Sequence, residues 1–441
     1  MTPIATSHRA IIQLAIPIIL ANATVPLLGL VDTAVIGHTG NSADLGAIAF
    51  GSLIFAFVYW GFGFLRMGTS GFTAQAAGAG DNSEVRAAYL RALLLGICIG
   101  LLLIIAQYPL GHIAFWLLDG SVAVEQSAAD YWQIRIWGAP ATLGTYAIMG
   151  TLIGLGQTRK LLWLQLLLNG VNLLLDVLFV AAFDWGVRGI ALGTLIAEWI
   201  SFLAGGMLLH TLLRTKTAEP FAIWEKIFLR TAIINTLKTN SDIMWRTLCM
   251  LFGFGWFANQ GAQFSDATLA ANHILLQFVS FSAFFLDGFA FALESLVGKT
   301  IGAKSRALFD RAIISSTQIA AACALGLMAI IALGGDHFIH WLTPITTVQE
   351  TAQDYLPYAA IYILVSFAAF QLDGIFIGAT GSRAMRNAAF FSLAIFLIAA
   401  EILVPITGNH GLWIAFIIYV IARAISLGLY LPQLRSKIVQ D

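Results

Sequence analysis

Residues 149–159, MGTLIGLGQTR, recur in altered form as residues 372–383, LDGIFIGATGSR. A step of 224 pairs Gly150 with Gly374, Ile153 with Ile377, Gly154 with Gly378 and Arg159 with Arg383. The same step pairs Asp130-Tyr131 with Asp354-Tyr355 upstream. A second set of identities runs at a step of 220: Gly68/Gly288, Gly78/Gly298, Arg86/Arg306, Arg91/Arg311 and Ala92/Ala312. Both steps are about half of the 441 residues, so the chain reads as a duplication. The glycines suit close helix packing, which small residues allow in a membrane.

The solvent for this duplication is lipid. Hydrophobic residues make up 59% of the chain and charged residues 10%, against roughly a quarter charged in soluble domains. Mean hydropathy is +0.85. That excludes a cytosolic enzyme, a disordered protein and a disulfide-rich secreted domain. The 23 basic and 23 acidic residues balance, so no basic excess exists to grip nucleic acid. Cys98, Cys249 and Cys323 show no metal spacing and read as packing residues. The apolar run Ile11–Ile36 is too long for a signal peptide and reads as the first span.

A helical span needs about 20 apolar residues. Twelve candidate runs fall near 10–36, 45–69, 87–108, 128–153, 161–183, 188–212, 240–258, 266–297, 309–333, 351–379, 387–405 and 411–431. Residues 221–238 read as an amphipathic connector. With the N-terminus inside, 18 of the 23 basic residues fall in inner segments and one, Arg188, in an outer loop. Such a split follows the positive-inside rule and puts both termini in the cytoplasm. An even number of spans per repeat preserves orientation. The expected fold is therefore an all-α integral membrane protein, its twelve helices in two six-helix lobes related by a pseudo-two-fold along the membrane normal. The lobes are expected at 1–218 and 219–441, the second opening with the cytoplasmic connector. Two like-oriented lobes suggest a substrate path and alternating access by rocking.

An ionisable residue inside a span costs roughly 2.5–3.5 kcal/mol on insertion scales and is a functional candidate. Asp32 lies in the first span, VPLLGLVDTAVIGH, six residues after Pro26, whose missing N–H permits a bend. The fifth span, LLLNGVNLLLDVLF, carries Asn172 and Asp176 four apart on one face, with Asn169 nearby. Thr194 lies about six residues into the sixth span. By helical rise, these groups share a depth of roughly 6–17 Å below the outer helix ends, as one polar pocket needs. At the 224 step Asn172 and Asp176 become Phe396 and Ala400, and at the 220 step Asp32 becomes Phe252, so the set belongs to the first half alone. Two carboxylates with an amide and a hydroxyl suit a proton carrier or a small hard cation such as Na⁺; helix-joining hydrogen bonds are the structural alternative. In the second half, Asp287 and Glu294 stand two turns apart, and Gln371 and Asp373 lie in FQLDGIF. Asp287 and Glu294 read as lining a cationic-substrate path or as pairing with Arg246, and Gln371 and Asp373 are candidates for the same path. Glu198, one turn beyond Thr194, fits either role.

The strings VPLLGLVDTAVIGH, FLRMGTSGFTAQA, LDGFAFALE and LDGIFIGAT resemble the multidrug and toxic compound extrusion (MATE) transporters, in particular their DinF-type branch. The similarity covers nearly the whole chain. It implies twelve spans in two lobes, a cavity opening alternately to each side, and export of cationic or amphipathic drugs in exchange for H⁺ or Na⁺. It further implies that Asp32 is the coupling carboxylate, that the nearby proline bend responds to its protonation, and that Asn172, Asp176 and Thr194 are the family's matching polar residues. Another MATE branch has an essential glutamate in the seventh span; this chain has Asp242 there instead, so that role is not carried over. The expected protein needs no cofactor beyond its coupling ion, acts as a monomer in a bacterial inner membrane and catalyses no reaction. A lipid-linked oligosaccharide flippase would need several basic residues in its cavity, and the spans hold only four. A membrane enzyme would need a catalytic or metal-ligand set, and no facing histidine pair supplies one.

Overall fold

A computed structural model describes residues 4–24, 42–118, 122–214 and 220–438. Every regular element it describes is a helix. Among the described residues, nine helices are long and apolar enough to cross a membrane, from Asp44–Gly78 to Asn409–Ser436. Two further predicted spans, the fourth and the seventh, are helical in forms that hydropathy alone underrates, and of the first predicted span only the part up to residue 24 is among the described residues. The first is described as His8–Ala23, with Pro17 inside it. The fourth is broken into Val122–Arg135, a 3₁₀ turn at Ile136–Gly138 and Ala139–Gly154. Its cause is Pro140, which cannot donate the hydrogen bond that would continue the helix. The seventh, Arg230–Ala262, buries Asn240, Asp242 and Arg246 in its first half, which lowers its hydropathy. Large apolar side chains stand outward along these helices, including Leu333 (85% exposed) and Leu174 (68%), as a lipid-facing surface requires.

The chain divides into two compact units. One comprises Leu20–Ala77 and Asp81–Leu237; the other comprises Met1–Ile19, Gly78–Gly80 and Lys238–Asp441. The partition expected from sequence at 218/219 placed the amphipathic connector with the second lobe. The connector helix, Pro220–Phe228, instead packs on Asn82–Ile105 of the first unit: Ile227 is buried against Ala87 and Leu90. Arg91 Nη1 donates to the Lys226 carbonyl (2.8 Å), and Lys226 Nζ stands 2.8 Å from Asp81 Oδ2. Asp81 also caps the following helix by accepting from Glu84 N–H (2.9 Å). Partial burial opposes the Asp81 charge, but the Lys226 ammonium, the Ser83 hydroxyl and the Glu84 N–H outweigh it and hold its pKa at about 2, below the ordinary 3.8. A lowered pKa gives a contribution that is complete above pH 3.8 and lost as the pH falls through about 2. Limited pepsin digestion should therefore leave the connector intact at pH 3.8 and cut it increasingly as the pH approaches 2.

The second unit is centred on stacked and edge-on rings: Tyr362 on Phe416 (4.6 Å between centroids), Phe257 on Phe416 (4.6 Å) and Phe257 on Trp413 (5.0 Å). Asn272 and Asn409 exchange amide hydrogen bonds of 2.8 and 3.0 Å beside them. Such aromatic pairs add about 0.5–1.5 kcal/mol each beyond area burial. In the first unit Phe55 stacks on Trp132 (4.9 Å).

The duplication is visible in backbone packing. In the first unit a side chain at Gly150 would strike the Arg66 carbonyl, and a Cβ at Gly154 would stand 2.6 Å from Ser70 O and 3.0 Å from Ala74 N. In the second unit Gly374 meets the Ala290 carbonyl in the same way, and Gly378 meets Glu294 O and Gly298 N, the latter at 3.1 Å. Every partner is displaced by 224. Helix ends Gly78 and Gly302, and caps Asp81 and Ser305, also obey that step. The identities at a step of 220 are therefore one helical turn out of structural register.

Left-handed residues repeat as well: Gly80 (φ 75°) with Lys304 (φ 54°), and Gly156 (φ 69°) with Thr380 (φ 53°). A β-branched residue is poorly suited to that conformation, which costs an L-residue roughly 1–2 kcal/mol. Thr380→Gly should raise stability by about 1 kcal/mol, read as a higher melting temperature in detergent. Gly156→Thr should lower it.

Candidate functional site

In the first unit the helix Thr158–Asp176 passes directly into a π-helical segment, Val177–Ala182. Its widened turn is recorded by the hydrogen bond from Phe183 N to Leu178 O (3.3 Å). Such segments are frequent at functional sites because the extra residue re-aims the side chains around it. Asp176 is the last residue before the widening.

Asn172 (1% exposed), Asp176 (0%) and Thr194 (2%) are all buried. Asn172 Nδ2 donates to Thr194 Oγ1 (3.1 Å), whose hydroxyl donates to the Ile190 carbonyl (3.0 Å). Asn172 Oδ1 has no hydrogen-bond partner among the described residues. Asp176 lies against the next helix at Gly193, where any Cβ would overlap its Oδ1. One missing side chain thus makes the slot that admits the carboxylate. Asn169 Nδ2 donates to the Thr24 carbonyl (3.0 Å), tying the first helix to the fifth span. Three of the residues that the sequence places at one depth, Asn172, Asp176 and Thr194, are thus brought together at the same two helices. Asp32 and Pro26 lie outside the described residues.

The four candidates of the second half, three carboxylates and the amide Gln371, have different surroundings. Asp373 is ion-paired with both Arg246 and Arg423, and all three are buried. Gln371 accepts from Ser316 Oγ (2.8 Å). Glu294 is fully buried in the helix segment that the Gly378 backbone crosses. Asp287 is half-buried and acts electrostatically on Arg246. The carboxylate that binds Arg246 is thus Asp373, on a different helix from Asp287 and Glu294. Asp242 accepts from Arg386 Nη1 (2.7 Å) and Ser382 (2.8 Å).

Sequence reading left Arg135 unweighed and Glu198 undecided. They face each other, Arg135 Nη2 to Glu198 Oε1 at 3.6 Å, beside a cavity of ≈230 Å³ in the first unit. A clue was available: both are ionisable residues inside predicted spans, and such residues tend to be paired.

Long apolar helices that bury carboxylates, amides and hydroxyls in two repeated units describe an integral membrane protein of the transporter class. The MatE family model matches residues 17–178 and 249–402, once in each half, and the chain belongs to that family of multidrug efflux transporters. It is not an enzyme family. The DNA damage-inducible protein F of Escherichia coli is 34% identical over 97% of this chain and 92% of its own length. Multidrug resistance protein MdtK of Yersinia enterocolitica is 23% identical over 97% of this chain and 96% of its length. A solved outward-facing multidrug resistance MATE family transporter superposes with TM-score 0.86 at 19% identity, covering 99% of this chain and 98% of that one. The chain thus has the MATE fold and is a multi-pass membrane protein.

Proposed function

We propose that this chain is an antiporter that exports cationic or amphipathic drug-like molecules in exchange for H⁺ by alternating access. In this reading it works as a monomer in a bacterial inner membrane, with both termini cytoplasmic, no cofactor and no nucleic-acid partner. The observation that carries it is the buried Asn172–Asp176–Thr194 group at the π segment, in a chain whose relatives include a protein named for multidrug resistance. A carboxylate held in a dry slot gains or loses a proton at the expense of its neighbours' hydrogen bonds. Asp32 and Asp176 take up H⁺ from outside, their hydrogen bonds rearrange, and the substrate site loosens. The substrate leaves, and the proton is released to the cytoplasm after the inward transition. In this reading Pro26 is the hinge of the first span, because its missing N–H permits a bend there. Na⁺ is the competing coupling ion, since the same hard oxygens suit it.

Ethidium efflux from proteoliposomes under separately imposed pH and Na⁺ gradients tests this. A pH gradient should drive efflux, and a Na⁺ gradient alone should not. Asp32→Asn should reduce pH-driven efflux to the rate of empty liposomes. Undiminished efflux in that variant would remove Asp32 from the mechanism, and efflux driven by Na⁺ alone would replace the proton.

A further inference from the structure

Glu198 sits four residues, one helical turn, beyond Thr194 on the helix Gly186–Arg214. It is therefore on the face that receives Asn172. Its side chain is buried, 7% exposed as a residue. Oε2 packs against Gly138, where a Cβ would overlap it, at the N-terminus of the helix Ala139–Gly154. Oε2 has no hydrogen-bond partner of normal geometry among the described residues. Oε1 is 3.6 Å from Arg135 Nη2, beyond the 2.7–3.2 Å of a made hydrogen bond.

Arg135 has a second hold that does not involve Glu198. Its Nη1 donates to Tyr131 Oη (2.7 Å), and its guanidinium lies 4.8 Å from the Phe55 ring centre and 5.5 Å from that of Tyr131. A cation so placed keeps part of its stabilisation from the ring faces. The guanidinium is thus poised between an aromatic seat and a carboxylate that it reaches only loosely.

Both open onto the ≈230 Å³ cavity, with Tyr59, Thr142 and Ser201 on its wall. The Ser201 hydroxyl is buried and makes no hydrogen bond of normal geometry among the described residues, while the Thr142 hydroxyl lies within hydrogen-bonding influence of both Tyr59 and Glu198. Most of the lining is apolar, with Met149, Leu161, Leu164 and Leu168 beside these groups, but a space of this size holds water where polar partners converge, as they do around Glu198. Among the described residues, the titratable and charged groups facing Glu198 are few. Ser42–Gly61 presents Tyr59, Val122–Arg135 presents Arg135, and Ala139–Gly154 presents Tyr146, itself within the field of Arg66 from Phe64–Gly78. The helix Thr158–Asp176 presents the uncharged Gln165 and Asn169.

We propose that Glu198 is a further proton-exchanging carboxylate of the first unit, beside Asp32 and Asp176, with Arg135 as the counter-charge that it engages when ionised and releases when protonated. The proton comes from hydronium in the cavity: an O–H bond forms at Oε2, one water molecule is left, and the guanidinium relaxes onto Phe55 and Tyr131. The inference builds on the proton-coupled reading and adds to the Asp32–Asp176 set a group one turn away from it.

Infrared difference spectroscopy of the reconstituted full chain, stepped between mildly acidic and mildly alkaline buffer, tests it. The wild type should show the carbonyl stretch of a protonated carboxylic acid appearing on acidification. Glu198→Gln should lose one such component that Asp176→Asn retains, and Glu198→Asp should shift it rather than abolish it. Arg135→Gln should move its midpoint to higher pH, since the ionised form loses its counter-charge. Wild-type difference spectra in Glu198→Gln, or an unmoved midpoint in Arg135→Gln, would overturn the proposal. Ethidium efflux supplies the separate arm: Glu198→Gln should shift the pH dependence of efflux. A wild-type chain that moves no ethidium under a pH gradient would defeat the proposed antiport while leaving the spectroscopic assignment standing.

Discussion

Asp373→Ala should destabilise the second unit by about 3–5 kcal/mol, the usual cost of removing one partner from a buried charge group. Asp373 is the carboxylate between Arg246 and Arg423, and the side chains of all three are at most 9% exposed. Its loss leaves two buried guanidiniums facing each other, with the half-buried Asp287 the remaining carboxylate acting on Arg246 among the described residues. The three residues come from Arg230–Ala262, Thr346–Gly378 and Asn409–Gly428, so the whole unit should loosen. Thermal unfolding in detergent reads this as a large drop in melting temperature. Replacing all three together by Leu or Met should recover much of the loss, because well-packed apolar groups often match a buried ion group in stability. An Asp373→Ala variant that melts like the wild type would show that the three charges do not constrain the fold.

The second large effect concerns the repeated glycine crossings. Gly378→Val should abolish a folded, monodisperse preparation, and Gly154→Val should do the same through the other unit. Overpacking costs typically 1–3 kcal/mol where side chains can shift. Here the obstacles include backbone atoms: Glu294 O and Gly298 N on one side, Ser70 O and Ala74 N on the other. A backbone yields only by separating the helices, so the cost should reach or pass the top of that range. Gly206 is the control, since nothing lies within 4 Å of its would-be Cβ. Gly206→Ala should be neutral or stabilising by up to about 1 kcal/mol, as helix propensity predicts. Size-exclusion profiles of the three variants make the comparison.

Much of the architecture was legible from residue patterns. Apolar run length placed the spans, because lipid leaves the backbone no alternative to a helix. The break at Pro140 within the fourth span was not resolved, since hydropathy is blind to a lost N–H. The step of 220 misled because charged residues cluster near helix ends in both halves, so a shift of one turn still aligns arginines. The cap and φ positions removed that ambiguity. Among the candidate site residues, the grouping of Asn172 and Asp176 was legible because i, i+4 spacing defines a face, and that of Thr194 because depth matched. The Asp373 group was not, because nothing in the linear order says which of several carboxylates a given arginine reaches across three helices. The Arg135–Glu198 pair was hidden for the same reason.

The slot at Gly193 bears on how the two halves came to differ. At the structural step of 224 that glycine becomes Ile417, which packs on the aromatic core, while Asn172 and Asp176 become Phe396 and Ala400, both fully buried. Phe396 meets Trp256 at 5.3 Å. A carboxylate restored at position 400 would find its seat filled by the isoleucine and ringed by aromatics. No single substitution can return the second copy to the state of the first, and each intermediate would carry a buried charge or a void. The divergence of the duplicated halves therefore works as a ratchet, and polar chemistry of this kind, once ceded to one copy, stays there.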